Sequence, residues 1–399
     1  MRILFLSPRQ CWPTHSGAKL REYHFLRALS LRGEVTYLHF TEPGFPPLTR
    51  EDLPFCREVL AIPKPGAYGP WKLLRGVAGR WPLPILNYTS PEMSAAVARL
   101  TRGTKFDLVH LDAIHMMRYG GALAAQPEMK TVYNWHNIES ELMQRYNETA
   151  ATPAKRWYAG RTAAKLRARE SDILRTAAGH VVCSPRERDQ LQRLAPEARV
   201  AVVHNGVDMQ YFANAGAGSA AGRDLIFVGS MAYPPNAEAA VFFSRNVWPA
   251  IRERMPDLRL MIVGAIPLPE VLALAQLPGV TVTGTVPDVR PYYASALAAI
   301  VPLLAGSGTR LKILEAMAAG VPVISTPVGA EGLEATPGRD FLIARADNAE
   351  EWISQLNGLP GQRESLVAAG LDLVRTHYDW EAIGEELWAT YQRWLRGDG

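Results

Sequence analysis

Short apolar runs alternate with amphipathic stretches along almost the whole chain. In its first half, residues 2–6, 35–40, 59–62, 108–111, 131–135, 180–183 and 200–203 form compact, largely apolar runs without a strict alternation of polar positions. Such runs predict strands covered on both faces, as in parallel sheets. Between them, Leu20, Tyr23, Leu26, Ala28 and Leu31 recur at helical spacing over residues 17–31, and residues 154–177 read as one long basic helix. The alternation predicts an open parallel sheet with helices on both faces. From 214 to 223 the chain reads NAGAGSAAGR, small residues with no hydrophobic anchor, and predicts a linker. The pattern then restarts, with strands expected at 225–228, 258–263, 280–283, 298–304, 321–326 and near 341–344, and a helix at 237–255. Two doubly wound α/β domains follow, residues 1–213 and 224–375, with a closing segment at 376–399. In that segment Trp380, Ile383, Leu387, Tyr391 and Trp394 make an apolar stripe expected to pack on another surface.

The most informative stretch is AAIVPLLAGSGTRLKILEAMAAGVPVIST, residues 298–326. A buried strand runs into Gly306, Ser307 and Gly308, a turn whose backbone N–H groups can face a ligand, and Ser307 or Thr309 can cap the helix that follows. Anions collect at such helix starts. Arg310 and Lys312 are expected in the first turn of that helix, where cations oppose its dipole unless a bound anion compensates them. Glu315 lies three residues after Lys312, on a neighbouring part of the surface. The alternative is a surface helix with a Lys312–Glu315 ion pair. The strand that follows favours the ligand site, because ligands of open parallel sheets bind beyond the carboxyl ends of strands.

Composition narrows the chemistry. With 399 residues, 48% of them hydrophobic, the chain can fill two cores, and its net charge of +4 is only mildly basic. No dense basic face with interleaved aromatics appears, so a nucleic-acid partner is not expected. Cys11, Cys56 and Cys183 have no CxxC or Cys/His metal spacing, and their odd count argues against a disulfide framework, which fits a reducing, cytoplasmic setting. The apolar run after Arg2 is too short for a signal peptide, and no run reaches the ~18 apolar residues of a membrane span. Attachment at the inner face of a membrane would therefore be peripheral. Two stretches bear on it: residues 155–175, with seven cations against Glu170 and Asp172, and the basic-aromatic stretch Trp71, Lys72, Leu73, Leu74, Arg75 and Trp81. Each reads either as an ordinary helix, solvated or packed on its own domain, or as a contact with anionic lipid.

Several motifs taken in order carry a resemblance: SGAKLREYHFLRAL, WHNIES, HVVCSPRERDQL, VVHNGVD, FVGSMAYPPN, GSGTRLKILEAMAAGVPVIST and a late DWE. In this order the chain resembles family 4 of the retaining glycosyltransferases, the glycosyl transferases group 1, and among them those linked to exopolysaccharide assembly. The resemblance implies a GT-B architecture: two Rossmann-like domains facing a cleft, acceptor side first and donor side second, with a C-terminal helix crossing back. The implied reaction moves a sugar from a nucleoside diphosphate sugar, UDP- or GDP-linked, to a hydroxyl of a glycan or lipid-linked acceptor, without metal or further cofactor.

By the same resemblance, Arg310 and Lys312 would neutralise the diphosphate, and Glu315 would accept from the ribose hydroxyls. Gly17 would let backbone approach the phosphates from the first domain, Gly229 and Ser230 would line the phosphate side, and backbone near Val286 would hold the base. His136 would sit near the reacting carbon, bonding a sugar hydroxyl or helping the acceptor. Ser307, Gly308 and Thr309 complete the donor set. Many family members carry two glutamates separated by seven residues, and Ser307 stands where the first would be. The usual Arg/Lys pair after the second domain's first strand is replaced by SMAYPPN, leaving Arg310 and Lys312 to serve instead. A sugar-nucleotide epimerase on the same fold and an inactive sugar-nucleotide-binding scaffold are the competing readings. A dinucleotide-dependent oxidoreductase fits less well, because Leu311 occupies the third glycine's place of a GxGxxG turn.

Overall fold

A computed structural model of the chain describes residues 1–14, 16–66, 69–123, 128–213, 215, 222–305 and 310–397. The chain divides into two compact units, Met1–His204 with Gly384–Gly399, and Asn205–Ile383.

Seven parallel strands form the sheet of the first unit: β1 (Arg2–Ser7), β2 (Glu34–Phe40), β3 (Glu58–Ile62), β4 (Leu108–Asp112), β5 (Lys130–Asn134), β6 (Gly179–Val182) and β7 (Val200–Val202). Their order is β3-β2-β1-β4-β5-β6-β7, so the strand order reverses between β1 and β4. All seven expected runs are strands, with ends displaced by a residue at most. Leu4, Leu6, Leu38, Val109 and Leu111 are fully buried in one hydrophobic core. Truncating any one of the four leucines to Ala should cost about 2–5 kcal/mol.

The second unit repeats the plan with β8 (Asp224–Val228), β9 (Arg259–Val263), β10 (Val280–Val282), β11 (Ala296–Val301), β12 (Val323–Ser325) and β13 (Leu342–Ile343), in the order β10-β9-β8-β11-β12-β13. Every pairing in this sheet is parallel. The single helix expected at 237–255 is two, Pro234–Asn246 and Trp248–Arg254. Pro249 ends the first, since proline lacks the N–H and crowds the carbonyl four residues back.

The division between units differs from the sequence reading in two places. Residues 205–213, expected in the first domain, belong to the second unit. The Val207 N–H donates to the Tyr378 carbonyl at 2.8 Å, and Val207 and Phe212 are buried in the second unit's core. The change to small residues, most of which lie outside the described set, comes only after these two anchors. At the other end, residues 376–379 stay with the second unit, and the boundary falls within the helix Trp380–Arg396. From Gly384 onward that helix packs in the first unit: a Cβ on Gly384 would meet the Ala28 Cβ at 2.8 Å, and the Tyr391 hydroxyl lies 2.6 Å from His110 Nδ1.

Candidate functional sites

In the first unit, β4 and β5 pair in register with Asp112 opposite Asn134, and both end there. Register therefore brings two polar side chains together at the carboxyl edge of the sheet, beside the reversal point where open α/β sheets bind ligands. Asn134 Nδ2 donates to Asp112 Oδ1 at 2.7 Å, and Arg21 Nε donates to Asn134 Oδ1 at 3.0 Å. His136, two residues beyond β5, places Nε2 2.8 Å from Asp112 Oδ2. Arg21 also donates to the Val203 and His204 carbonyls, which ties this cluster to the end of β7.

The electrostatics fix the state of the pair. Burial pushes the Asp112 carboxyl up, but His136, His110 and Arg9 outweigh it and hold it well below its ordinary value. Burial lowers the His136 imidazole despite Asp112, and Arg9 and Arg21 lower it further. At neutral pH the histidine is thus neutral, donates from Nε2 to an ionised carboxylate, and keeps Nδ1 as an acceptor. Directly after Asp112, Ala113 has φ +72° and ψ 151°, a region nearly confined to glycine. The sharp turn directs the following residues, Ile114 and His115, onto a cavity of about 310 Å³ that His136, Asn137, Arg9 and Lys64 also line.

In the second unit the candidate donor site gathers at the end of β8. The Gly229 N–H donates to the Val263 carbonyl, and Gly264 packs so closely that its Cβ would overlap the Gly229 carbonyl oxygen at 1.7 Å. A Cβ on Gly229 would stand 2.8 Å from Asn236 Nδ2 and 3.6 Å from Lys312 Cε. The absent side chain leaves room for a lysine: Lys312 Nζ donates to Asn236 Oδ1 at 2.5 Å and sits 5.1 Å from the centre of the Phe227 ring. Asn236 is held in turn by donating to the Ser230 carbonyl at 2.9 Å. Ser230 itself is exposed.

Glu315 lies one turn further along the helix Leu311–Ala318, half-buried. It makes no ion pair with Lys312 among the described residues, so the surface-pair alternative does not hold. Burial pushes its carboxyl up to about 7 against the pull of Lys312, and burial with Arg310 lowers the Lys312 ammonium to about 8. Arg310 differs from expectation. It stands at the N-cap position, one residue before the helix, and its guanidinium is buried and donates to the Val328 carbonyl at 2.9 Å. The expected caps Ser307 and Thr309, with Gly308, lie outside the described residues. Val286 is in the loop after β10, half-buried, with no hydrogen bond to its backbone among the described residues. Gly17 opens the helix Gly17–Ser30, whose first turn is capped by Ser16 accepting from the Lys19 N–H.

Asp112, Asn134 and Asn236 were not singled out by sequence reasoning. Asp112 and Asn134 end apolar strands, a position that could have marked them, and Asn236 closes the quoted FVGSMAYPPN motif. Among the described residues no group of three or more His, Cys, Asp or Glu is placed to hold a metal ion. None of their helices is long and apolar enough to cross a membrane. The stretch 71–75 forms the helix Pro70–Ala78, but Trp71, Leu73 and Leu74 are exposed rather than packed on the unit. Its last carbonyls accept from Arg161 and Lys165 of the basic helix Pro153–Thr176.

Comparison with known proteins agrees with this layout. Residues 21–211 match the family model described as Glycosyltransferase Family 4, and residues 222–360 match Glycosyl transferases group 1. An uncharacterised 44.6 kDa protein in the cps region of Klebsiella pneumoniae is 25% identical over 166 residues, 39% of this chain and 42% of that protein. The match therefore spans about two fifths of that relative's length. Sucrose-phosphate synthase from Thermosynechococcus elongatus superposes with a TM-score of 0.71 at 20% identity over the whole of both chains. HepE of Anabaena, in complex with UDP and glucose, gives 0.65 at 15% identity over 98% of this chain and 99% of its own. Two parallel-sheet Rossmann-like units with these matches place the chain among the family 4, group 1 glycosyltransferases of the GT-B fold.

Proposed function

We propose that the protein is a retaining, metal-independent glycosyltransferase that moves a hexosyl group from a nucleoside diphosphate sugar to a hydroxyl of a glycan or lipid-linked acceptor. The observation that carries this reading is the lysine cradle of the second unit: a desolvated ammonium anchored by Asn236 over side-chain-free Gly229, beside a Glu315 carboxyl that has no hydrogen bond or ion pair among the described residues. A desolvated ammonium with no carboxylate within ion-pair distance among the described residues suits an anion, and the neighbouring acceptor suits ribose hydroxyls. UDP is favoured as the nucleotide because the HepE structures hold UDP, UDP with glucose, or UDP-glucose. The cps-region relative supports a role in cell-surface polysaccharide synthesis.

In the proposed step the bond from the anomeric carbon to the diphosphate oxygen breaks. A bond from the acceptor oxygen forms on the same face, and the acceptor's proton passes to the departing diphosphate. Lys312 and Arg310 meet the charge that develops on the leaving group, an effect larger in the transition state than in the ground state. The neutral His136, oriented by Asp112, accepts from a sugar hydroxyl through Nδ1. The exposed Trp71, Leu73 and Leu74, flanked by Lys72 and Arg75, support docking on an anionic bilayer beside a lipid-linked acceptor.

The test is product analysis with UDP- and GDP-sugars in the presence of EDTA, using glycan acceptors free in solution and lipid-linked in anionic vesicles. The reading expects acceptor-dependent transfer with the donor's anomeric configuration, unaffected by EDTA. Lys312→Ala should lower it on the order of 10²–10³-fold in a folded protein. Inverted product or loss of activity in EDTA would contradict it. Turnover without acceptor to an epimeric donor would indicate an epimerase, and donor binding without any turnover a scaffold.

A further inference from the structure

The polar cluster at the ends of β4 and β5 continues inward, through the core of the first unit, to the helix Trp380–Arg396. His110 lies two residues before Asp112 on β4, so both side chains leave the same face of the sheet. The His110 ring is fully buried and held by its neighbours. It stacks on Phe5 with centroids 4.0 Å apart and planes 18° from parallel, and it meets Phe25 edge-on. Its Nδ1 lies 2.6 Å from the Tyr391 hydroxyl, and its Nε2 lies 3.7 Å from Asp112 Oδ1. The second separation is too long for a hydrogen bond, and Nε2 makes none elsewhere among the described residues.

Charge decides which nitrogen holds the proton. Asp112 is ionised, so a bare Nε2 would set its lone pair against a carboxylate inside the core, and Nε2 must carry the hydrogen. Burial keeps the imidazole neutral against the pull of Asp112, with Arg21 and His136 adding to the effect. Nδ1 is therefore left to accept, and Tyr391 is the donor. Four side chains stand in line: Tyr391 donates to His110, His110 turns its N–H toward Asp112 Oδ1, and Asp112 Oδ2 accepts from His136.

The helix reaches His110 because glycines let it approach closely. Besides the Gly384 contact with Ala28, a Cβ on Gly179 at the start of β6 would stand 2.5 Å from the Trp394 ring. Leu387, Tyr391 and Trp394 are all buried there, and from Gly384 onward the helix belongs to the first unit. Apolar docking of this stripe would be served as well by Phe at 391. The hydroxyl adds only the bond to His110, and without that bond its burial would be costly.

We propose that Tyr391 is a positioning residue for sugar transfer, acting through His110 to hold Asp112, and through Asp112 the His136 tautomer whose Nδ1 accepts. The reaction comes from the transferase reading, whereas the line of side chains stands on the geometry alone. Without the hydroxyl, His110 Nδ1 is orphaned in the core. The ring can regain a partner only by turning off Phe5 or by moving its proton, and either change withdraws the N–H from Asp112.

Tyr391→Phe in the full chain, alone and combined with His110→Leu, tests the assignment. Tyr391→Phe should lower kcat about three- to tenfold, with KM for the donor and UDP affinity unchanged. It should also shift the side-chain nitrogen resonances of His136 in the NMR spectrum of the ligand-free protein. The double variant removes both members of the buried pair at similar volume, so it should regain most of the melting temperature that Tyr391→Phe loses while kcat stays low. Unchanged kcat in an active enzyme, unchanged His136 resonances, or turnover that returns with stability in the double variant would each overturn the proposal. Shifted His136 resonances in a protein that transfers no sugar would instead sink the transferase reading and leave the link from Tyr391 to His136 standing.

Discussion

In the first unit, the buried carboxylate Asp112 accepts from both His136 and Asn134, and Asn134 is held in turn by Arg21. In the second, the Glu315 carboxyl accepts from nothing among the described residues, and Lys312 meets no carboxylate among them, only the neutral amide of Asn236 and the Phe227 ring. Both clusters lie at the carboxyl ends of parallel strands, yet one is internally satisfied and the other is not. The contrast separates two tasks. A group that must present a fixed tautomer gains from a fully bonded support, since each additional partner narrows its orientation. A group that must bind a charged ligand gains from being under-compensated, since a desolvated ammonium then interacts more strongly with the anion that reaches it. The same difference appears in the protonation states: the Asp112 carboxyl lies well below its usual range, while Lys312 and Glu315 are moved toward neutrality, to about 8 and about 7.

Two substitutions sharpen this contrast by acting on one side of it alone. The larger effect is expected from Asp112→Asn, which keeps the shape but removes the charge that orients His136. Transfer should fall about 10–100-fold, as for other supporting groups, with UDP affinity unchanged in a titration of the purified variant. A loss of UDP affinity equal to the loss of turnover would remove the distinction between the two clusters. The smaller effect is expected from Gly229→Ala. Its new Cβ would stand 2.8 Å from Asn236 Nδ2, forcing the amide that anchors Lys312 to shift. UDP affinity should weaken severalfold, by about 1 kcal/mol, with little change in thermal stability. Unaltered UDP affinity would show that the Asn236 anchor is dispensable.

Much of the architecture was legible because buried parallel strands announce themselves as short apolar runs. All seven strands of the first sheet and the six of the second fall where those runs predict. The domain boundary was not legible at 214, because Val207 and Phe212 are anchors whose partners, Tyr378 and Tyr293, lie far away in sequence. Pro249 could have divided the helix expected at 237–255, but the apolar periodicity on both sides masked the break. At the proposed donor site, Lys312 and Glu315 were readable from their place after an apolar run and a glycine-rich stretch of sequence. Asn236 was not, because its role depends on a glycine seven positions earlier having no Cβ and on a lysine 76 residues later. Asp112 was hidden similarly: only the β4–β5 register sets it opposite Asn134 and within reach of His136.

On the proposed function, Lys312 is a partly neutralised lysine that a donor diphosphate recharges. An ammonium lowered to about 8 contributes fully to anion binding below that pH and progressively less above it. A bound diphosphate, already fully ionised there because its last ionisation lies near ~6, must raise the lysine and draw a proton from solvent. Titrating UDP at about pH 8.5 in buffers of different ionisation enthalpy measures that proton directly. The expected result is uptake of a large fraction of one proton, affinity that weakens as pH rises through about 8, and loss of both features in Lys312→Ala together with about 10–100-fold weaker binding. UDP binding with no proton uptake, at an affinity that Lys312→Ala leaves unchanged, would contradict it.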